Sequence, residues 1–97
     1  MLDLAGIALR AVSVGGFETC IEIPGWGIAL DIGRCPRSAV HRGTVLFTHA
    51  HMDHMGGVAF HAATRGLYNL EPPTYLVPRE NVEALKGFFT AARRLDR

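Results

Sequence analysis

The chain has 97 residues, 48 % of them hydrophobic and 20 % charged, and a net charge of +1. That length holds at most one small domain, the hydrophobic content excludes a disordered chain, and the near-zero charge gives no strong electrostatic case for nucleic acid or a membrane surface. No apolar run reaches ~18 residues and the N-terminus has no charged region followed by an apolar one, so neither a membrane helix nor a signal peptide is expected, and the default location is cytoplasmic.

The first elements are strands. Gly6 to Val14 (GIALRAVSV) alternates and is rich in β-branched residues, and Gly15-Gly16 follows as a turn. Glu18 to Ile23 (ETCIEI) alternates polar and apolar, Pro24-Gly25 is a second turn, and Gly27 to Ile32 (GIALDI) is a third strand. Together they form an antiparallel meander with short connections. Cys20 lies in this alternation as a buried thiol. Cys20 and Cys35 are the only cysteines, and neither has metal-ligand spacing.

A polar connection, 33–43, leads to Thr44 to Thr48 (TVLFT), which is apolar enough for a strand covered on both faces. A helix is predicted from about Asp53 or Met55 to Gly66, with Asp53 as its N-cap and Gly66 near its C-terminus. Pro72-Pro73 forces an extended segment before a short strand, Thr74 to Val77. The last helix runs from about Arg79 to Leu95, with Val82, Leu85, Phe88, Phe89 and Ala92 on one face and Arg93 and Arg94 in its last turn. Strands followed by strand–helix–strand–helix suit a layered α/β protein, one sheet covered by helices. Such a sheet leaves an open edge and an uncovered face, so the 97 residues are expected to be part of a larger domain or to be completed by a partner.

The chemistry concentrates in Thr48-His49-Ala50-His51-Met52-Asp53-His54-Met55-Gly56-Gly57. Three imidazoles and a carboxylate within six residues, between an apolar strand and two glycines, read as one side of a two-metal hydrolytic centre. In an extended segment His49 and His51 point to the same side and can share one metal. Asp53 and His54 follow the turn and can face a second. These donors suit Zn²⁺, with Mn²⁺ or Fe²⁺ as alternatives. Paired cations activate water and stabilise both the attacking and the leaving oxygen, and Asp53 can ligate while also handling a proton. Gly56-Gly57 leaves room for backbone or substrate, and helix-start N–H groups favour an anion such as phosphate.

Asp31, at the end of the third strand, either orients a histidine ligand from behind or is a turn aspartate before Gly33. His41 and His61 are isolated and read as exposed or partner-satisfied histidines. Trp26 reads as packing in its turn. Arg34 and Arg37 flank Cys35-Pro36 and serve either structure or phosphate contact.

The His49-x-His51-x-Asp53-His54 motif resembles the metallo-β-lactamase superfamily. Gly16-Phe17-Glu18-Thr19-Cys20, Asp31-Ile32-Gly33-Arg34-Cys35-Pro36, Ala63-Thr64-Arg65-Gly66-Leu67-Tyr68 and Pro72-Pro73-Thr74 narrow the resemblance to the plant-type short form of ribonuclease Z. It covers nearly the whole chain from Val14 onward. The resemblance implies an αβ/βα sandwich of which residues 1–97 are the N-terminal portion, two zinc ions, and endonucleolytic removal of the 3′ trailer from precursor tRNA, usually by a homodimer. It implies His49 and His51 on one zinc, Asp53 and His54 on the other, Asp53 also serving the attacking water, and Asp31 as a supporting aspartate. The family's later histidine, bridging aspartate and final histidine ligands, its leaving-group histidine and its tRNA-gripping arm have no counterpart among these residues. The 97 residues alone are therefore expected to bind zinc weakly and cleave RNA poorly. Two other readings stand beside this one: a thioester or lactone hydrolase with the same centre, and a truncated, non-catalytic half-domain that needs a partner.

Overall fold

The computed structural model describes residues 2–4, 6–48 and 50–95. The chain forms a six-stranded sheet in sequential order: β1 (Leu2–Leu4), β2 (Ile7–Val14), β3 (Glu18–Ile23), β4 (Ile28–Leu30), β5 (Thr44–Leu46) and β6 (Thr74–Leu76). β1 to β4 pair antiparallel, and β4, β5 and β6 pair parallel. The parallel pairs need crossovers, and these hold a 3-10 turn (Arg37–His41) and the helices α1 (Met52–Met55) and α2 (Val58–Leu67). α3 (Val82–Leu95) follows β6 through a 3-10 turn at Arg79–Asn81. The meander and the strand–helix–strand–helix order read from the sequence are both present, as an α/β fold.

One face of the sheet carries the core. In register, Glu22 pairs with Ala29, Ala29 with Val45, and Val45 with Tyr75, so these four share a face. Cys20, Ala29 and Val45 pack with Ile32, Cys35, Ala39, Val40, Phe47, Met55 and Val58. Leu85 and Phe89 of α3 and Tyr75 close over this cluster. Cys20 and Cys35 are buried and free, and burial pushes their thiols up to about 12 and about 11, respectively.

Five expectations change. β5 is covered on one face only: Val45 is buried, whereas Thr44 and Leu46 stay half-exposed. The single helix predicted to Gly66 is two helices, with Gly56 and Gly57 between them, and Asp53 lies inside α1 rather than at its N-cap, which is His51. Gly66 sits within α2, and the left-handed residue that ends the helix is Asn69 (φ 57°), with Leu70 N–H donating to Arg65 O at 2.9 Å. Trp26, expected to pack in its turn, is 59 % exposed.

Candidate metal centre

The candidate site lies where β4 and β5 end side by side. Parallel pairing of Leu30 with Leu46 delivers the residues after both strands to the same sheet edge. Just beyond β4, Asp31 takes a left-handed backbone (φ 59°), which aspartate tolerates better than most residues, and its side chain is buried. Its backbone N–H donates to Leu46 O at 2.8 Å.

The Asp31 carboxylate is an acceptor for three donors. Thr48 N–H reaches Oδ1 at 2.8 Å, Thr48 Oγ1–H reaches Oδ2 at 2.8 Å, and His54 Nδ1 lies 2.8 Å from Oδ2. An ionised carboxylate can only accept, so Nδ1 of His54 carries the proton. In the neutral ring Nε2 then holds the lone pair, and Nε2 lies 3.3 Å from Asp53 Oδ2. Two acceptors face each other at that spacing, which is stable with a cation between them or a second proton on the ring. Ligands on a tetrahedral ion at ~2.0–2.2 Å stand about 3.4 Å apart, so the spacing fits this donor pair to a metal such as zinc. Asp53 and His54 are half-buried, and His51, extended at the start of α1, is exposed.

Backbone bonds hold this corner. His54 O accepts from Ile32 N–H at 2.8 Å and Gly33 N–H at 3.0 Å, and Gly57 N–H donates to Gly33 O at 2.7 Å. At Gly57 an added Cβ would stand 2.6 Å from Arg34 C and from Cys35 N. The room left by Gly57 is thus filled by residues 34–35, and its N–H is spent on Gly33 rather than on an anion.

Of the predicted site residues, the structure brings Asp31, Asp53 and His54 together. His51 caps the helix that carries Asp53 and His54, and His49 lies outside the described residues. Among the described residues no three His, Cys, Asp or Glu side chains converge on one metal position, and Asp31 and Asp53 lie against opposite nitrogens of the His54 ring. His61 is away from this cluster: it is buried, its Nε2–H donates to Arg42 O at 2.9 Å, and Nδ1 accepts from Tyr75 Oη at 2.6 Å. Burial lowers its pKa below the usual 6.5. Thr48 is the site residue that sequence reasoning missed, because it reads only as the end of an apolar strand.

No family model matches the chain. Over 95 residues, 98 % of its length, it is 43 % identical to tRNase Z TRZ1 of Arabidopsis thaliana, and equally to a nuclear ribonuclease Z of Triticum aestivum. Over 87 residues it is 47 % identical to the chloroplastic tRNase Z TRZ2 of Arabidopsis thaliana. It spans 34 %, 54 % and 25 % of these relatives, respectively. Such relatives imply the metallo-β-lactamase fold for this mixed sheet and its helices. Along nearly its whole length, the chain resembles plant ribonuclease Z.

Proposed function

We propose that this chain is the N-terminal portion of a zinc-dependent endoribonuclease that removes the 3′ trailer of precursor tRNA. The observation that carries the reading is the 43–47 % identity to proteins named tRNase Z or ribonuclease Z, along nearly all of the chain. The Asp31–His54–Asp53 array supports it at the level of chemistry.

In this reading His49 and His51 hold one zinc ion, and Asp53 and His54 hold the second; Mn²⁺ or Fe²⁺ suits the same donors. When bound, the ions supply Lewis acidity and make water acidic enough to attack a phosphodiester. Asp31 fixes the ring of His54 so that Nε2 is presented, a role known to raise the basicity of a ligating histidine. Asp53, with its second carboxylate oxygen, receives the proton of the attacking water. The full centre takes further donors, from the rest of the domain or from a second chain, and the full-length form works as a homodimer. Among the described residues no helix is long and apolar enough to cross a membrane. The cytoplasmic location stands beside relatives named as nuclear and chloroplastic.

The test is single-turnover cleavage of a 3′-extended precursor tRNA by excess protein with Zn²⁺, beside its Asp53→Ala variant. Slow cutting at the trailer junction, lost in the variant, is the expected result. Hydrolysis of thioesters or lactones with no cut in the RNA would replace the reading with the other hydrolase class. Absence of every hydrolysis with zinc bound would leave a non-catalytic half-domain.

A further inference from the structure

Thr48 stands at the surface, two residues beyond β5, yet its backbone N–H and its hydroxyl are both given to one buried carboxylate. The N–H meets Asp31 Oδ1 and the hydroxyl meets Oδ2, each at 2.8 Å. A hydroxyl at the surface can take its partner from water, so ending the strand does not account for this inward bond. The backbone around it is already held: Phe47 N–H donates to Leu76 O and Asp31 N–H to Leu46 O, both at 2.8 Å.

What the hydroxyl adds is control of the carboxylate. The torsion that turns an aspartate carboxylate is broad and two-fold, so a single donor leaves its plane free to rock. Two donors from one residue, one on each oxygen, close a ring through Thr48 and fix that plane. On Oδ2 the hydroxyl takes one lone-pair direction and leaves the other to Nδ1 of His54, also at 2.8 Å. That direction sets the approach of the imidazole, and its far nitrogen, Nε2, comes to lie 3.3 Å from Asp53 Oδ2. A turned carboxylate would tilt the ring, with the displacement growing toward Nε2. The exit of β4 at Asp31, the exit of β5 at Thr48 and α1 at His54 thus meet on one group.

We propose that Thr48 is a positioning residue of the metal centre. Acting through Asp31, its hydroxyl sets the plane and the tautomer of the His54 ring and so presents Nε2 beside Asp53. The effect on zinc rests on the reading of His54 and Asp53 as ligands of one ion. The hold on the ring rests on the hydrogen bonds alone.

The experiment is ¹⁵N NMR of the histidine rings in metal-free protein at about pH 8, where imidazole is neutral, followed by zinc titration. It compares the protein with Thr48→Val and Thr48→Ser. Valine keeps the branched shape and the backbone N–H and exchanges only the hydroxyl for a methyl. That methyl also keeps out the water that could donate in its place. Serine keeps the hydroxyl without the methyl. The protein and Thr48→Ser are expected to show a protonated Nδ1 and a bare Nε2 on His54. Thr48→Val is expected to show shifts averaged over both tautomers and to bind zinc about tenfold more weakly. Circular dichroism checks that each variant folds. If valine prevents folding, Thr48→Ala takes its place with the same direction of change expected. Ring shifts and zinc affinity within about twofold of the unaltered protein would overturn the proposal and leave Thr48 as the bend after β5. Weaker zinc binding with the His54 shifts unchanged would overturn it too, since Thr48 would then act by another route. An unaltered protein that takes no zinc at His54, with mixed tautomers in Thr48→Val, would sink the zinc reading and leave the hold of Thr48 on the ring standing.

Discussion

Asp31 decides what His54 can do. Three donors converge on one buried carboxylate, and the third is the ring nitrogen whose protonation fixes the state of the other. Asp31→Asn keeps the size but places an amide where two donors need an acceptor. We expect it to cost about 3 kcal/mol in urea unfolding, the scale of breaking a buried charged network. Zinc affinity should fall about 10–100-fold in calorimetry, as when the partner of a ligating histidine is removed. Unchanged affinity would mean that Asp31 is only a turn residue. An acid at a strand end near a cluster of histidines made the nearness of Asp31 to His54 legible. The left-handed backbone of Asp31 and its partner Thr48 were not, because both follow from the parallel pairing of β4 with β5, which no local spacing encodes.

At the scale of elements, the break between α1 and α2 is the informative departure. Apolar periodicity continues from Met55 into Val58, so the sequence reads as one helix. Tertiary contact overrides it: the chain at Gly57 must lie against Arg34 and Cys35, and it can do so only without a Cβ. Gly57→Ala should therefore cost about 2–3 kcal/mol through overpacking, although alanine is the better helix former. Thermal melting measures this, and a stabilised variant would contradict the packing argument. Arg65 is a second tertiary contact of α2: it is buried, with Nη1 donating to Val40 O at 2.9 Å and with Nε and Nη2 donating to Glu71 O at 3.0 and 2.7 Å. It fastens α2 to the loop before β6 and to the 3-10 turn at Arg37–His41. On the predicted face of α3, Leu85 and Phe89 meet the core and Val82 and Ala92 are half-buried, while Phe88 is 43 % exposed.

At the scale of the molecule, stability depends on polar groups buried between the sheet and its cover. Glu22 is buried against Ser38 Oγ–H (2.6 Å) and the Arg42 guanidinium (3.3 Å), and Arg42 O in turn accepts from His61. His61 thus joins α2 to β6 and to the chain before β5, in its neutral form. Its folded pKa is lowered, so below pH 6.5 the unfolded chain takes up a proton that the folded chain refuses. Stability from this group is complete above pH 6.5 and is lost as the pH falls below it, by up to about 1.4 kcal/mol per pH unit. Urea unfolding between pH 7.5 and 5 should show that slope, reduced in His61→Gln. A slope identical in both proteins would place the acid sensitivity elsewhere.

The central claim is that Nε2 of His54 and the Asp53 carboxylate form one edge of a cation site, with the ring set by Asp31. The most direct measurement is ¹⁵N NMR of the histidine rings during a zinc titration. The account predicts that zinc moves the Nε2 resonance of His54 while Nδ1 keeps its proton. Zinc bound with the His54 ring unperturbed, or bound through Nδ1 with that proton lost, would contradict it.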